Sequence, residues 1–198
     1  MRFLAIAILA AGGLCAQPLT QGERNRLLSE LHATRKQFLD AIDGLSPAQW
    51  KFKPAPERWS VAECAEHIVL SEEWLYQMLA GKLMKSPPQP ADRKLAAKLD
   101  EQILIRMADR SQKAQAPGEL QPTGRWKDAA AVAAHFRESR ERLLDYVRTT
   151  QDPLRAHRLA AGGGEPLDGY QWVMLIAGHT ARHVDQIQEV KSSPGFPK

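Results

Sequence analysis

Cysteine is nearly missing from this chain. Only Cys15 and Cys64 occur, and Cys15 lies in an N-terminal segment that looks removable. The mature protein would then have no intramolecular disulfide, so stability must come from a packed core or a bound metal. Alternating runs of valine and isoleucine are also missing, which excludes a sheet-based core and leaves helix formers to set the fold. Charge of one sign is nowhere concentrated: the net charge is +4, and bases alternate with acids along the helical stretches. Without a basic stripe interleaved with aromatics, nucleic acid is excluded as a partner. The apolar run Phe3 to Leu14 is too short to span a bilayer. Gly162-Gly163-Gly164 has no Gly-Lys-Ser/Thr after it, so it is a flexible turn and not a phosphate cradle.

What is present fits one globular domain of 198 residues, with 43% hydrophobic and 25% charged residues. Arg2 followed by the Phe3–Leu14 run, then Cys15-Ala16-Gln17-Pro18, has the order of a signal peptide cut after Ala16. Residues 17–198 would form the mature domain, exported to a periplasm or the medium. Anchoring as a lipoprotein through Cys15 is disfavoured, because Leu14 stands where a small residue is wanted. Cys64 falls on an apolar helix stripe, where core packing is its expected role.

Helical periodicity and caps divide the rest. Thr20-Gln21-Gly22-Glu23 is a capping box opening a helix to about Asp43, with Leu27, Leu28, Leu31, Phe38 and Ile42 on one face and Gly44 as its stop. A loop rich in proline and aromatics follows. Ser60-Val61-Ala62-Glu63 is a second capping box, opening a helix to about Leu83. Pro87-Pro88-Gln89-Pro90 breaks the chain, and the charged stretch 92–113 is expected as a helix lying across the bundle. A further helix spans about Lys127 to Thr149, burying Val132, Phe136, Leu143 and Val147. The last starts after Asp168 as N-cap and ends near Lys191. The fold class is therefore all-α: a four-helix bundle with a long, partly helical crossover between its second and third helices.

Three histidines occupy apolar stripes. His67 lies in the second of these helices, and His179 and His183 lie one turn apart in the last. Residues four apart share a helix face, so His179 and His183 can aim two ring nitrogens at one point. His67 is the natural third ligand from across the core. Satisfied core histidines are the structural alternative, but three of them would need three separate polar partners. A three-histidine set suits a divalent metal, zinc or nickel foremost, with iron, manganese or copper as alternatives. It also leaves coordination positions open, as catalytic sites do.

The residues around these histidines resemble the DinB/YfiT-like four-helix bundles. Trp59-Ser60 opening a helix with His67 seven residues on is similar to that family's second helix. Leu167-Asp168-Gly169-Tyr170-Gln171-Trp172 followed by His179-Thr180-Ala181-Arg182-His183-Val184-Asp185-Gln186-Ile187 is similar to its last. The resemblance covers roughly residues 20 to 190. It implies a divalent metal held by His67, His179 and His183, in a superfamily that includes metal-dependent hydrolases and thiol-dependent transferases. Export argues against the thiol chemistry, since low-molecular-weight thiols are a cytoplasmic resource.

Other residues offer less. Glu63 is a candidate acid/base group, although the capping box accounts for it; Gln186 is a candidate partner for a ligand imidazole. Ser71 faces the proposed site, and Asp185 belongs to the solvated side. Arg137 and Arg140 either reach an anionic substrate or form surface salt bridges. His135 flanks the third bundle helix as a remote fourth ligand, while His32 and His157 need no functional reading. The stretch from His179 to His183 lacks a zincin's glutamate, which disfavours peptidase chemistry. The expected function is a metal-dependent hydrolase or transferase acting on a small molecule. The alternative is a non-catalytic metal- or ligand-binding stress-response bundle, and a homodimer is compatible with either.

Overall fold

The structure is a computed structural model that describes residues 17–90, 93–111, 115–160 and 164–198. The proposed signal segment, residues 161–163 of the glycine-rich stretch and parts of the crossover lie outside the described residues. Six α-helices are present among those described: α1 (Gln21–Ile42), α2 (Pro47–Lys51), α3 (Val61–Met78), α4 (Arg93–Ala108), α5 (Ala129–Thr149) and α6 (Gly169–Lys191). No helix among them is long and apolar enough to cross a membrane.

The expected caps form. Thr20 and Ser60 close reciprocal boxes with Glu23 and Glu63, and Asp168 does so with Gln171. Asp128 caps α5. Gly44 takes φ +65° just after α1, a left-handed conformation that suits glycine. Two elements escaped the periodicity argument. The proline- and aromatic-rich loop holds the short α2, whose single turn is too brief to show a helical period. Arg158–Ala160 (β1) and Pro166–Asp168 (β2) pair as a small antiparallel two-stranded sheet.

α1, α3, α5 and α6 make the bundle. α1 borders α5 and α6, and α3 borders the same two, so α1 and α3 stand on one diagonal. Contacts along the helices give their directions. Arg24 reaches Val147 and Thr150 while Arg35 reaches Glu141, so α1 and α5 are antiparallel. Glu72 pairs with Arg140 and Glu73 with Arg142, whereas Glu66 meets the segment just before α5, so α3 and α5 run the same way.

Two parallel neighbours need a return path between them, and α4 supplies it. Instead of lying across the bundle as the sequence suggested, α4 runs beside α6 and in its direction. Gln171 bonds Ala96 and Asp100, Gly178 abuts Met107, and Arg182 bonds Met107 and Asp109. Its charged composition concealed a narrow buried stripe, Leu99 and Ile103. A methyl group at Gly178 would stand 2.9 Å from Met107 Cβ and Cγ, so glycine permits the close approach. Arg155 ties α4 to the bundle through Asp100, Asp168 and Glu23, with its guanidinium 3.8 Å from the Tyr170 ring centre.

The core divides into two apolar halves. One gathers Leu27, Leu31, Leu75, Leu79, Leu143, Trp172 and Ile176; the other gathers Phe38, Ile42, Val61, Ile68, Phe136, Val184 and Ile187. Between them lies a polar layer built around Arg140. Arg140 is fully buried, and its guanidinium pairs bidentately with Glu72 at 2.6 and 2.8 Å. It also donates to the Leu31 carbonyl, Thr34 Oγ1 and Thr180 Oγ1. All four bundle helices meet in this layer. The assignment of Arg140 to a substrate or to surface salt bridges is thereby corrected, because the side chain is consumed inside the core. Arg137, three residues earlier, is exposed.

Candidate metal centre

The N-terminal half of α3 and the C-terminal half of α6 come together at one end of the bundle. From Cys64 to Glu72 every α3 residue is buried, because α5, α6 and the segment before α5 enclose this stretch on all sides. His67 therefore projects into protein and not toward water. His179 and His183 face it from successive turns of α6.

His67, His179 and His183 each offer a ring nitrogen, and these atoms lie within 4.8 Å of one another. The ring centres are 4.5 Å apart for His67 and His183, 4.5 Å for His179 and His183, and 5.1 Å for His67 and His179. Trp59, from the loop leading into α3, lays its ring 4.9 Å from His67 and 6.2 Å from His183. It forms an apolar wall on the cluster.

Hydrogen bonds fix two of the three tautomers. His67 Nδ1–H donates to the Leu120 carbonyl at 2.8 Å, and His183 Nδ1–H donates to Gln186 Oε1 at 2.8 Å. Neither oxygen can donate, so both imidazoles carry their proton on Nδ1 and leave Nε2 with a free lone pair. Ser71 Oγ stands 3.4 Å from His67 Nε2, one turn along α3.

Burial holds all three imidazoles below their ordinary range, because a charged ring would lose its hydration. His183 is brought to about 3, with the neighbouring His67, Arg182 and Arg110 acting in the same sense as burial and the Gln186 bond opposing it. His179 is also driven well down by burial, then by His183 and His67. His67 is lowered by burial against the opposing Leu120 bond. Three neutral imidazoles, two oriented through Nδ1, form a donor set that fits a divalent ion of borderline softness.

The remaining candidates fall outside this set. Burial acts to raise the Glu63 pKa, but hydrogen bonds from Ser60 and Lys53 outweigh it and hold the carboxyl below its usual range. Its oxygens are taken by the Ser60 backbone N–H and hydroxyl and by Lys53. Cys64 is buried, and the loss of hydration pushes its thiol up to about 12, which leaves it an inert packing residue. His135 is exposed and rests against the Trp126 ring. His157 bonds the Ser86 carbonyl, His32 is exposed, and Asp185 is exposed as expected.

Sequence reasoning missed two contributors: Leu120 and Glu66. A backbone carbonyl carries no sequence signal. Glu66 did leave one, since from Cys64 to Leu70 every other residue except His67 is apolar.

Residues 30–187 match the DinB superfamily. Over 164 residues the chain is 25% identical to the uncharacterized protein YuaE of Bacillus subtilis strain 168, a match covering 83% of this chain and 96% of that one. Its fold is similar to that of YfiT from Bacillus subtilis, at a TM-score of 0.61 and 14% identity, covering 90% of this chain and 91% of YfiT. YfiT is described as a probable metal-dependent hydrolase with an unusual four-helix bundle topology.

Proposed function

The chain belongs to the DinB superfamily, and on that premise we propose that it is a metal-dependent hydrolase or transferase of small molecules whose divalent ion is held by His67, His179 and His183. One observation carries the reading: three ring nitrogens from two helices lie within 4.8 Å of one another, with the tautomers of His67 and His183 set by Leu120 and Gln186. The description of YfiT as a probable metal-dependent hydrolase supports it. Bound there, the ion would supply Lewis acidity, polarising a substrate oxygen or lowering the pKa of water.

The protein's own residues then do the rest. Leu120 and Gln186 keep Nε2 of their histidines unprotonated. Trp59 covers one side of the cluster and limits access of water. Among the described residues no carboxylate stands free beside the histidines to serve as a general base, so substrate groups or the ion must bear the proton chemistry. Export through residues 1–16 is part of the same proposal, and the mass of the mature chain tests it.

Elemental analysis decides the metal. The parent protein is expected to carry close to one divalent ion per chain, and His183→Ala to lose most of it. Full metal retention in the variant, or a parent that stays empty when offered zinc or nickel, overturns the assignment. Turnover across an ester, amide and thiol-transfer panel, abolished by His183→Ala, distinguishes the enzyme from a non-catalytic binding bundle.

A further inference from the structure

Two adjacent residues of α3 grip the same loop. His67 donates to the Leu120 carbonyl. Glu66, nearly buried at 4% exposure, accepts from the backbone N–H groups of Thr123, Gly124 and Arg125 at 2.7, 2.9 and 3.2 Å. The Thr123 hydroxyl adds a fourth bond at 3.3 Å. Successive N–H groups converge on one carboxylate only where the backbone turns sharply, and Gly124 at φ +79° provides that turn.

A carboxylate withdrawn from water needs such compensation, and the grip is charge-assisted. Consecutive residues on a helix point about 100° apart, so Glu66 and His67 hold the loop at separate points. The link between those points is short, from Leu120 to Thr123.

We infer that Glu66 is a positioning residue of the metal centre, acting through this loop on the Leu120 carbonyl. That carbonyl in turn keeps the His67 proton on Nδ1 and leaves Nε2 available to a ligand. An imidazole without that acceptor is free to protonate Nε2 instead, which removes it from the donor set. The inference rests on the three-histidine assignment for its purpose, though not for its geometry. The four hydrogen bonds of Glu66 go to Thr123, Gly124 and Arg125, so its influence passes through the backbone from Thr123 to Leu120.

The test uses metal-free protein with 15N-labelled histidine. Ring nitrogen shifts are expected to show the parent His67 as the Nδ1–H tautomer, and Glu66→Ala as a mixture. Zinc affinity, read by competition with a chelator, is expected to fall about 10- to 100-fold in the same variant. Glu66→Gln keeps one acceptor oxygen and is expected to restore part of the loss. Gly124→Ala disturbs the turn with Glu66 intact and is expected to act in the same direction, so the inference stays testable if Glu66→Ala folds poorly. Leu143→Ala, in the other half of the core, controls for general destabilisation and is expected to leave both readouts near parental. An unchanged His67 tautomer in Glu66→Ala, or equal affinity losses in Glu66→Ala and Leu143→Ala, overturns the inference. A parent that binds no zinc overturns the metal assignment instead, while the tautomer measurement, made without metal, still decides the role of Glu66.

Discussion

Glu72 and Arg140 form a bidentate ion pair at the centre of the bundle, 2.6 and 2.8 Å apart, with both side chains withdrawn from water. Thr34, Thr180 and the Leu31 carbonyl absorb the remaining donors of the guanidinium. The layer separates two apolar halves of the core, and a one-turn shift of α3 or α5 past it would strand a charge.

Arg140→Met is therefore expected to destabilise the protein by about 3–5 kcal/mol, because Glu72 would be left in the core without its partner. The double change Glu72→Leu with Arg140→Met should recover most of that loss, since well-packed apolar groups carry no desolvation cost. Urea unfolding of the single and double variants measures both. A double variant as unstable as the single one would mean that the pair contributes net stability and not only complementarity.

Acid is expected to weaken the metal-free protein through the histidine cluster. Unfolded, each imidazole takes up a proton as the pH falls through about 6.5. Folded, burial resists that uptake, down to about 3 for His183. Between these values the unfolded state binds more protons, so stability declines as the pH falls below 6.5 and is untouched by this source above it. Chelator-treated parent should lose more stability between pH 7.5 and 5 than His183→Ala does. Equal losses would locate the acid sensitivity elsewhere.

Gly178→Ala tests the seam between α4 and α6. The new methyl group would meet Met107 Cβ and Cγ at 2.9 Å and Leu104 Cδ2 at 3.3 Å. Overpacking of this kind costs about 1–3 kcal/mol, and the gain of alanine over glycine in a helix offsets up to about 1 kcal/mol of it. A net loss of about 1 kcal/mol is expected, with α4 released first. Limited proteolysis should cut α4 sooner than in the parent, and an unchanged cleavage pattern would rule out the close packing.

Glu63→Gln separates the cap from chemistry. Glutamine also completes a capping box, and the lost Lys53 pair is partly exposed and contributes little. The variant is expected to stay within about 1 kcal/mol of the parent and to keep its zinc content and any turnover. Loss of turnover at full metal loading would make Glu63 a proton-transfer group after all.

Much of the fold was legible because its signals are local. Capping boxes at Thr20 and Ser60 placed two helix starts, and apolar spacing placed the buried faces of α1, α5 and α6. The histidines were legible for the same reason: a pair four residues apart on an apolar stripe shares a face in any helix. Arg140 was misplaced because an arginine among other charges carries the same signature on a surface and in a buried pair. α4 was misdirected because its apolar stripe is two residues wide and its orientation depends on α6.

The sequence by itself determined an all-α chain, the starts of its main helices and the facing of His179 with His183, since caps and the 3.6-residue period act within a few residues. Only the tertiary structure decided that His67 meets that pair, that Glu72 and Arg140 bridge the core, and that Glu66 and Leu120 frame the candidate metal centre. Those relationships depend on the rotation and axial offset of one helix against another. Packing across the whole bundle sets these, and no local pattern encodes them.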